Sequence, residues 1–144
     1  MKKVGDIVRG RQLLFVADSA TVYEAACYMA DKKIGAMPVL AGDRLVGVFS
    51  ERDLMTRVVV AGRTAESTRI GEVMTREVVT ADLDESRDEC LAKMQRAGCR
   101  HLPVLAHGHV IAMVSIRDLL WDEIEEQVEE IRQLRAYVWQ TPPA

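Results

Sequence analysis

The chain has 144 residues, of which 49% are hydrophobic and 28% are charged, and its formal net charge is −3 at pH 7. This composition fits one globular domain or two small halves that share a core. The slight acidic excess disfavours nucleic acid as a partner, and charged residues from Asp6 onward leave no apolar run near the amino terminus for a signal peptide or membrane span. We therefore expect a cytoplasmic protein that contacts neither nucleic acid nor membrane.

The first half of the chain predicts five elements in the order β-α-β-β-α. A short apolar strand at Leu13–Val16 is followed by a helix that begins at the capping box Thr21–Glu24, where a hydroxyl and a carboxylate satisfy free amides. Met37–Leu40 and Arg44–Phe49 then form a β-hairpin around a glycine turn. Ser50 begins a second helix.

The same elements return further along the chain. Ser50 and Asp53 recur as Ser115 and Asp118, and 115 minus 50 and 118 minus 53 both give 65. The second copy of the elements is Val78–Ala81, Ser86–Glu89, Leu102–Leu105 and Val110–Val114. Because one copy is too small to bury both faces of its sheet, we predict an α/β (α+β) fold in which two repeats pack as a pseudo-twofold pair. The predicted boundaries are 1–62 and 70–122, with a polar linker at 63–69.

A helical extension with its tail, residues 123–144, follows the second repeat. Apolar residues recur at spacings of three and four from Ile124 to Val138, while glutamates and arginines fill the other faces. This amphipathic helix either lies on its own domain or packs against a second subunit, and both interpretations stay open. Thr141–Pro143 is predicted to end it.

The cysteines and histidines do not form a metal-binding pattern. Cys27, Cys90 and Cys99 are odd in number, and each stands where the other repeat has a small or apolar residue, which favours buried reduced thiols. The histidines of the turn 107–109 have no cysteine or carboxylate at ligand spacing, so we predict no metal site. A metal sensor built on Cys99, His101 and that turn is kept as an alternative.

The two Ser-x-x-Asp pairs are the most informative polar residues. Each pair, Ser50 with Asp53 and Ser115 with Asp118, could exist only to cap a helix. A helix start also presents free amides and a positive dipole end to phosphate, and an aspartate one turn later accepts two ribose hydroxyls. Both interpretations remain open from the residues alone.

The doubled pattern of apolar-Pro-Val-apolar, a hairpin and Gly-apolar-apolar-Ser-x-x-Asp resembles the CBS domain pair, or Bateman module, over residues 4 to about 121. The resemblance implies a regulatory, signal-transducing module that binds adenine nucleotides such as AMP, ATP or NAD(H) between the repeats, without an obligatory cofactor. It also implies a homodimer that acts on a regulated protein the sequence does not name. No phosphate-binding glycine loop or cysteine–histidine motif points to an enzyme.

The resemblance assigns residues to two clefts, in which the aspartates hold ribose and the serines lie beside it. The first cleft would be formed by Ser50, Arg52, Asp53, Val79, Thr80, Arg100 and His101. The second cleft would be formed by Phe15, Gly35, Ala36, Ser115, Arg117 and Asp118. The two arginines that follow the serines either face a bound anion or are exposed helix residues.

The two clefts differ in sequence. Arg100–His101 stand where the first repeat has Gly35–Ala36, and a guanidinium beside an imidazole favours phosphate, although the histidine could equally be a neutral surface or interface residue. Ala112 replaces the family glycine that is present as Gly47, and its methyl group is expected to crowd a ligand. These differences predict that the Asp53 cleft is the better nucleotide site.

One further alternative comes from a different functional class. The protein could be a stress-response scaffold whose clefts stay empty and whose last helix binds a protein partner. Deleting residues 123–144 would then remove the partner, whereas a nucleotide sensor would keep its affinity.

Overall fold

The computed structural model describes residues 2–140, with side chains through residue 139. Both halves contain the predicted series of elements, each preceded by a short helix. The first half consists of α1 (Val4–Ile7), β1 (Val16–Ala17), α2 (Val22–Lys32), β2 (Ala36–Ala41), β3 (Arg44–Ser50) and α3 (Glu51–Asp53). The second half consists of α4 (Ile70–Val73), β4 (Ala81–Asp82), α5 (Arg87–Ala97), β5 (His101–Ala106), β6 (His109–Ser115) and α6 (Ile116–Gln140). The predicted helix end at Thr141–Pro143 lies outside the described residues.

Each half contains a three-stranded sheet, in the orders β1-β2-β3 and β4-β5-β6. The first strand of each sheet runs parallel to the second, and the second and third form the predicted antiparallel hairpin. The hairpin registers are equivalent, since Pro38 faces Val48 and Pro103 faces Met113. Strand β2 contacts β5 and β6, and β3 contacts β6, which joins the two halves along their hairpins as the pseudo-twofold pair requires.

The hydroxyl half of each predicted capping box is formed at the start of α2 and α5. Among the described residues neither glutamate carboxylate accepts from the first amide, and that of Glu89 accepts from the Ser86 hydroxyl at 3.2 Å. The hydroxyl of Thr21 accepts a hydrogen bond from the amide of Glu24 at 3.1 Å, and that of Ser86 accepts one from the amide of Glu89 at 3.2 Å. Both helices end on a residue in the left-handed region, which is Gly98 in α5. The local sequence therefore determines where these helices start, because side-chain oxygens satisfy amides that have no partner within the helix.

Three local predictions were wrong. The entering strands are only two residues long and begin at Val16 and Ala81, because pairing with β2 and β5 starts there. The segment Leu54–Val59 is a π-helix rather than an α-helix, and the guanidinium of Arg57 within it donates to the carbonyl of Met74 at 2.9 Å. Cys27 is exposed, whereas Cys90 is buried and Cys99 is partly buried; all three are free thiols.

The short helices α1 and α4 are exchanged between the halves. Val4 packs in the core of the second half, and its amide donates to the carbonyl of Glu85 at 2.8 Å. Ile70 packs in the core of the first half, and its amide donates to the carbonyl of Ala20 at 2.9 Å. Each core is therefore completed by the segment that precedes the other repeat. The segments that follow α1 and α4 consequently reach the clefts between the halves.

Within residues 2–140, no helix is both long enough and apolar enough to cross a membrane.

Candidate functional site

Two cavities lie between the halves, one at the start of α3 and one at the start of α6. Their volumes are about 840 and 810 Å³. They share a wall made of Gly35, Ala36, Glu51, Arg100 and His101. Since duplicated elements build both cavities, the two Ser-x-x-Asp pairs occupy equivalent positions, one in each.

The structure brings six of the seven residues predicted for the first cleft into the first cavity. The exception is Thr80, whose carbonyl accepts a hydrogen bond from the ammonium group of Lys93 at 2.8 Å. The sequence did not identify Arg57, Thr75 and Glu77, which also line this cavity.

The carboxylate of Asp53 is buried and fully engaged by protein groups. The residue is 6% exposed, and its Oδ2 accepts from the amide of Ser50 at 3.0 Å and from the Ser50 hydroxyl at 3.1 Å. The hydroxyl of Thr75 donates to Oδ1 at 3.1 Å, and the guanidinium Nε of Arg57 lies 3.6 Å from the same oxygen. Ser50 in turn accepts from the amide of Asp53 at 3.2 Å, so the capping interaction is present here. Since the side chain is only 8% exposed, little of this carboxylate is accessible while Thr75 and Arg57 stay in place.

Five of the six residues predicted for the second cleft line the second cavity. Phe15 does not; it is exposed, and its neighbour Leu14 lines the cavity instead. Leu14 and Phe15 both precede β1, so the strand predicted at Leu13–Val16 does not set the directions of their side chains. Arg11 was not identified from the sequence, although it lies in this cavity.

The carboxylate of Asp118 is more accessible than that of Asp53. Its side chain is 25% exposed, and its Oδ2 accepts from the amide of Ser115 at 2.8 Å and from Nη1 of Arg11 at 2.8 Å. Burial pulls the pKa of Asp118 upward, but the guanidinium and the amide outweigh it and hold the pKa below its usual value. Among the described residues, none donates a hydrogen bond to Oδ1. That oxygen is available to a ligand while Arg11 stays in place.

The residues missed in the two clefts share one origin. Thr75 follows α4 and Arg11 follows α1, so each reaches the motif aspartate from an exchanged segment. The repeat at Val4–Val8 and Ile70–Met74 is visible in the sequence, but only the exchange of α1 and α4 shows which aspartate each segment approaches. Arg57 lies four residues after Asp53, so the spacing of this ion pair is visible in the sequence, whereas its hydrogen bond to the carbonyl of Met74 is not.

The difference between Gly47 and Ala112 follows from packing. Thr75 and Val48 exchange two backbone hydrogen bonds of 2.9 Å, which lays the segment after α4 against β3. A Cβ atom at Gly47 would lie 2.8 Å from the carbonyl oxygen of Thr75. Within residues 2–140, the segment after α1 forms no such bridge with β6, so the methyl group of Ala112 is accommodated in the second core.

The basic pair Arg100–His101 does not distinguish the clefts, because both residues belong to the shared wall. Assigning them to the first cleft alone was therefore incomplete, as was assigning Gly35–Ala36 to the second alone. Burial lowers the pKa of His101, an effect that Glu51 and Asp118 oppose and Arg100 reinforces. The imidazole is consequently neutral at pH 7 and offers the wall a donor or an acceptor rather than a charge.

The two cavities differ in the net charge of the residues that line them. In the first, three arginines and three carboxylates cancel: Arg52, Arg57 and Arg100 against Glu51, Asp53 and Glu77. In the second, four cations and two carboxylates leave a net charge of +2: Arg11, Lys33, Arg100 and Arg117 against Glu51 and Asp118. The second cavity is therefore the electropositive one, because the segment after α1 carries Arg11 into it.

Comparison with known proteins agrees with the duplicated architecture. The family model for the CBS domain matches residues 4–60 and residues 70–122. The chain belongs to the CBS domain family. CBS domain pairs are regulatory and generally non-catalytic modules.

Both a curated relative and solved structures extend over most of this CBS domain pair. The mitochondrial CBS domain-containing protein CBSX3 of Arabidopsis thaliana is 33% identical over 96% of this chain and 69% of its own length. In the longer Arabidopsis relatives the chain spans 24% of their length. A putative signal-transduction protein with CBS domains from Burkholderia ambifaria matches 88% of this chain and 96% of its own, with 38% identity and a TM-score of 0.83.

A third comparison concerns ligands. The CBS domain pair of protein MJ0100, solved in complex with 5′-methylthioadenosine and S-adenosyl-L-methionine, covers 82% of this chain and 96% of its own, with 25% identity and a TM-score of 0.73.

Among residues 2–140 of the present CBS pair, no group of three or more histidine, cysteine or acidic side chains could hold a metal ion.

Proposed function

We propose that this CBS domain pair is a non-catalytic regulatory module that binds adenosine-containing ligands, and that ligands carrying phosphate bind in the Asp118 cleft. The excess of positive charge in the second cavity supports this most directly, since four cations there face two carboxylates. Phosphate oxygens gain most from guanidinium donors that are already held in position. Arg11 is held in this way by Asp118, at 2.8 Å.

The availability of the two aspartates supports the same choice of cleft. Asp118 keeps one carboxylate oxygen for a ribose hydroxyl, whereas both oxygens of Asp53 already accept from protein groups. Displacing Thr75 from Asp53 costs about 1 kcal/mol for the lost hydrogen bond, and a charge-neutral cavity offers phosphate no compensation. The proposal therefore reverses the preference for the Asp53 cleft that the sequence suggested.

Regulation follows if the ligand prefers one arrangement of the two halves. Both clefts lie between hairpins that meet through β2, β3, β5 and β6, so a bound molecule contacts both repeats at once. A ligand shifts such an equilibrium only by its difference in affinity for the two arrangements. We propose AMP, ATP or NAD(H) as the natural ligand, a homodimer as the assembly, and a separate protein as the target. The cytoplasmic location inferred from the sequence stays a prediction.

Isothermal titration calorimetry with AMP, ATP, NAD(H) and S-adenosylmethionine tests the proposal. The matched variants are Arg117→Ala and Arg52→Ala, because these arginines occupy the same position in the two repeats and both are exposed. If phosphate binds in the Asp118 cleft, Arg117→Ala weakens nucleotide binding by about 10-fold or more, the value expected for a charged hydrogen bond of ~1.5 kcal/mol. Arg52→Ala should leave the dissociation constant within about 2-fold, an energy near the thermal value.

The outcomes separate the parts of the proposal. If both variants lose nucleotide affinity equally, or if only Arg52→Ala loses it, the choice of cleft is wrong but nucleotide binding itself is not contradicted. No heat and no thermal shift with any of the four compounds at millimolar concentration overturns nucleotide binding itself. That result would favour the alternative of a scaffold that binds a protein partner through α6, because the carboxyl-terminal part of that helix is exposed.

A further inference from the structure

The carboxyl-terminal part of α6 extends away from the CBS domain pair. Its base is anchored, since Asp122 is 7% exposed and forms ion pairs with Lys2 at 2.7 Å and with Arg87 at 3.0 Å. From Ile124 to Trp139 every side chain is exposed. This stretch is ~24 Å long at 1.5 Å per residue. The helix therefore does not lie on its own domain, which removes one of the two interpretations that the sequence left open.

This exposed helix has an apolar stripe with coiled-coil spacing. Alternating steps of three and four residues connect the positions Trp121, Ile124, Val128, Ile131, Arg135 and Val138. Five of these six are large hydrophobic residues with about half or more of their surface exposed, from 47% for Ile124 to 67% for Val138. Such a seam is the surface that one helix presents to another in a two-stranded coiled coil.

The exposed area is large enough for a stable contact. The stripe and the flanking Leu120, Leu134 and Trp139 expose together about 670 Å² per chain when aromatic side chains are taken as ~200 Å² and aliphatic ones as ~120 Å², which is within the range of about 600–1,000 Å² per partner for ordinary interfaces. A standard protein interface buries about 800 Å² per partner. Isolated helices of this length are marginally stable in water, so burying the stripe also stabilises the helix.

We infer that the stripe pairs with the same stripe of a second copy of this chain, and that the two helices run antiparallel. The inference does not depend on nucleotide binding. The orientation follows from Arg135, the one charged residue in the seam. In a parallel pair Arg135 would face Arg135 of the partner subunit, which places two guanidinium groups together inside the seam. In the antiparallel pair Arg135 faces Ile124 of the partner subunit and its charged end reaches solvent.

Charge complementarity at the edges of the stripe supports the antiparallel orientation. When Val128 packs against Ile131 of the partner subunit, Glu125 lies beside Arg132 of the partner subunit, and twofold symmetry repeats this pair on the other side. In a parallel pair the same two residues would instead flank Leu120, Gln127 and Leu134, which carry no charge. The sequence thus contains a reciprocal Glu–Arg pair that only the antiparallel arrangement uses.

The assay is the dimer dissociation constant of the full chain, measured by sedimentation equilibrium. Ile131→Glu should weaken association by about 100-fold or more, because both copies bury an unpaired carboxylate in the seam. The matched control is Gln133→Glu, which adds the same charge to the opposite face of α6 and should leave the constant unchanged. An Ile131→Glu variant that associates like the wild type overturns the proposal, as does a wild-type chain that stays monomeric.

Charge reversal decides the orientation. Glu125→Arg and Arg132→Glu should each weaken the dimer by about 10-fold or more, since each replaces two attractive ion pairs by two repulsive ones. The double variant restores both pairs and should recover the wild-type constant to within about 3-fold. Arg132 also donates to Glu129 of its own helix at 3.3 Å, so circular dichroism of each variant checks that helix content is unchanged. Absence of rescue in the double variant overturns the antiparallel orientation.

Discussion

Replacing Gly47 by alanine should destabilise the fold through a contact that the second repeat does not make. The added Cβ atom would lie 2.6 Å from Sδ of Met74 and 2.8 Å from the carbonyl oxygen of Thr75. The thioether is the flexible end of a side chain and can move away. The carbonyl cannot, because Thr75 is held against Val48 by two backbone hydrogen bonds of 2.9 Å.

The expected magnitude combines opposing effects. Overpacking of this kind costs about 1–3 kcal/mol, and loosening the Thr75 bridge adds about 1 kcal/mol for each weakened hydrogen bond. Replacing a glycine in a strand also stabilises the folded state by about 0.5–1 kcal/mol, because the unfolded chain then has less backbone entropy to lose. The net loss is therefore about 2 kcal/mol, and with a urea m-value of about 2 kcal/mol/M the unfolding midpoint should fall by about 1 M.

Urea unfolding followed by circular dichroism measures this shift. Gly35→Ala is the matched control, because a Cβ atom at Gly35 meets the carboxylate end of Glu51 at 3.2 Å, which is free to move, and no backbone atom within 3.4 Å. The same gain in backbone entropy applies to this variant, so its midpoint should equal that of the wild type or rise by up to about 0.5 M, which corresponds to ~1 kcal/mol. A Gly47→Ala variant with the wild-type midpoint would refute the claim that the segment after α4 requires glycine in β3.

Three other outcomes are expected. Ellman's reagent should label exposed Cys27 in the native protein but label Cys90 only after unfolding, because burial removes access to that thiol and raises its pKa to about 11; rapid native labelling of Cys90 would contradict the buried position. Asp122→Asn should lower the free energy of unfolding by about 1–2 kcal/mol in a thermal melt, since it removes one of the two carboxylates that pair with nearly buried Arg87 while Glu126 keeps its contact at 2.6 Å, and an unchanged melt would show that this network is dispensable. The pKa of Asp118 is lower in the folded protein than in the unfolded chain, so its contribution to stability is present above the unfolded pKa and is lost as the pH falls through the folded pKa. An Asp118→Asn variant should therefore show a weaker decline in stability than the wild type below pH 4, roughly the unfolded pKa. An identical acid profile would contradict the lowered pKa of Asp118.

Much of the site was predictable because it belongs to the duplicated pattern. Ser50, Asp53, Ser115 and Asp118 were identified from sequence because a hydroxyl and a carboxylate three residues apart serve a helix start in any context. Phe15 lies outside the second cavity and the adjacent Leu14 lines it instead, because the segment before β1 does not form the predicted strand. Thr75 and Arg11 were missed because their contacts with the motif aspartates join positions that are distant along the chain.

The sequence by itself determined the two repeats, the hairpins and the helix starts, since each depends on interactions between residues close together in the chain. Only the tertiary structure decided how the two clefts differ. Exchange of α1 and α4 carries Thr75 to Asp53 and Arg11 to Asp118, so one aspartate is enclosed while the other keeps an oxygen exposed beside a cation. The same is true of α6: its apolar spacing is visible in the sequence, but its exposure beyond Ile124 follows from where the anchored Asp122 directs the helix.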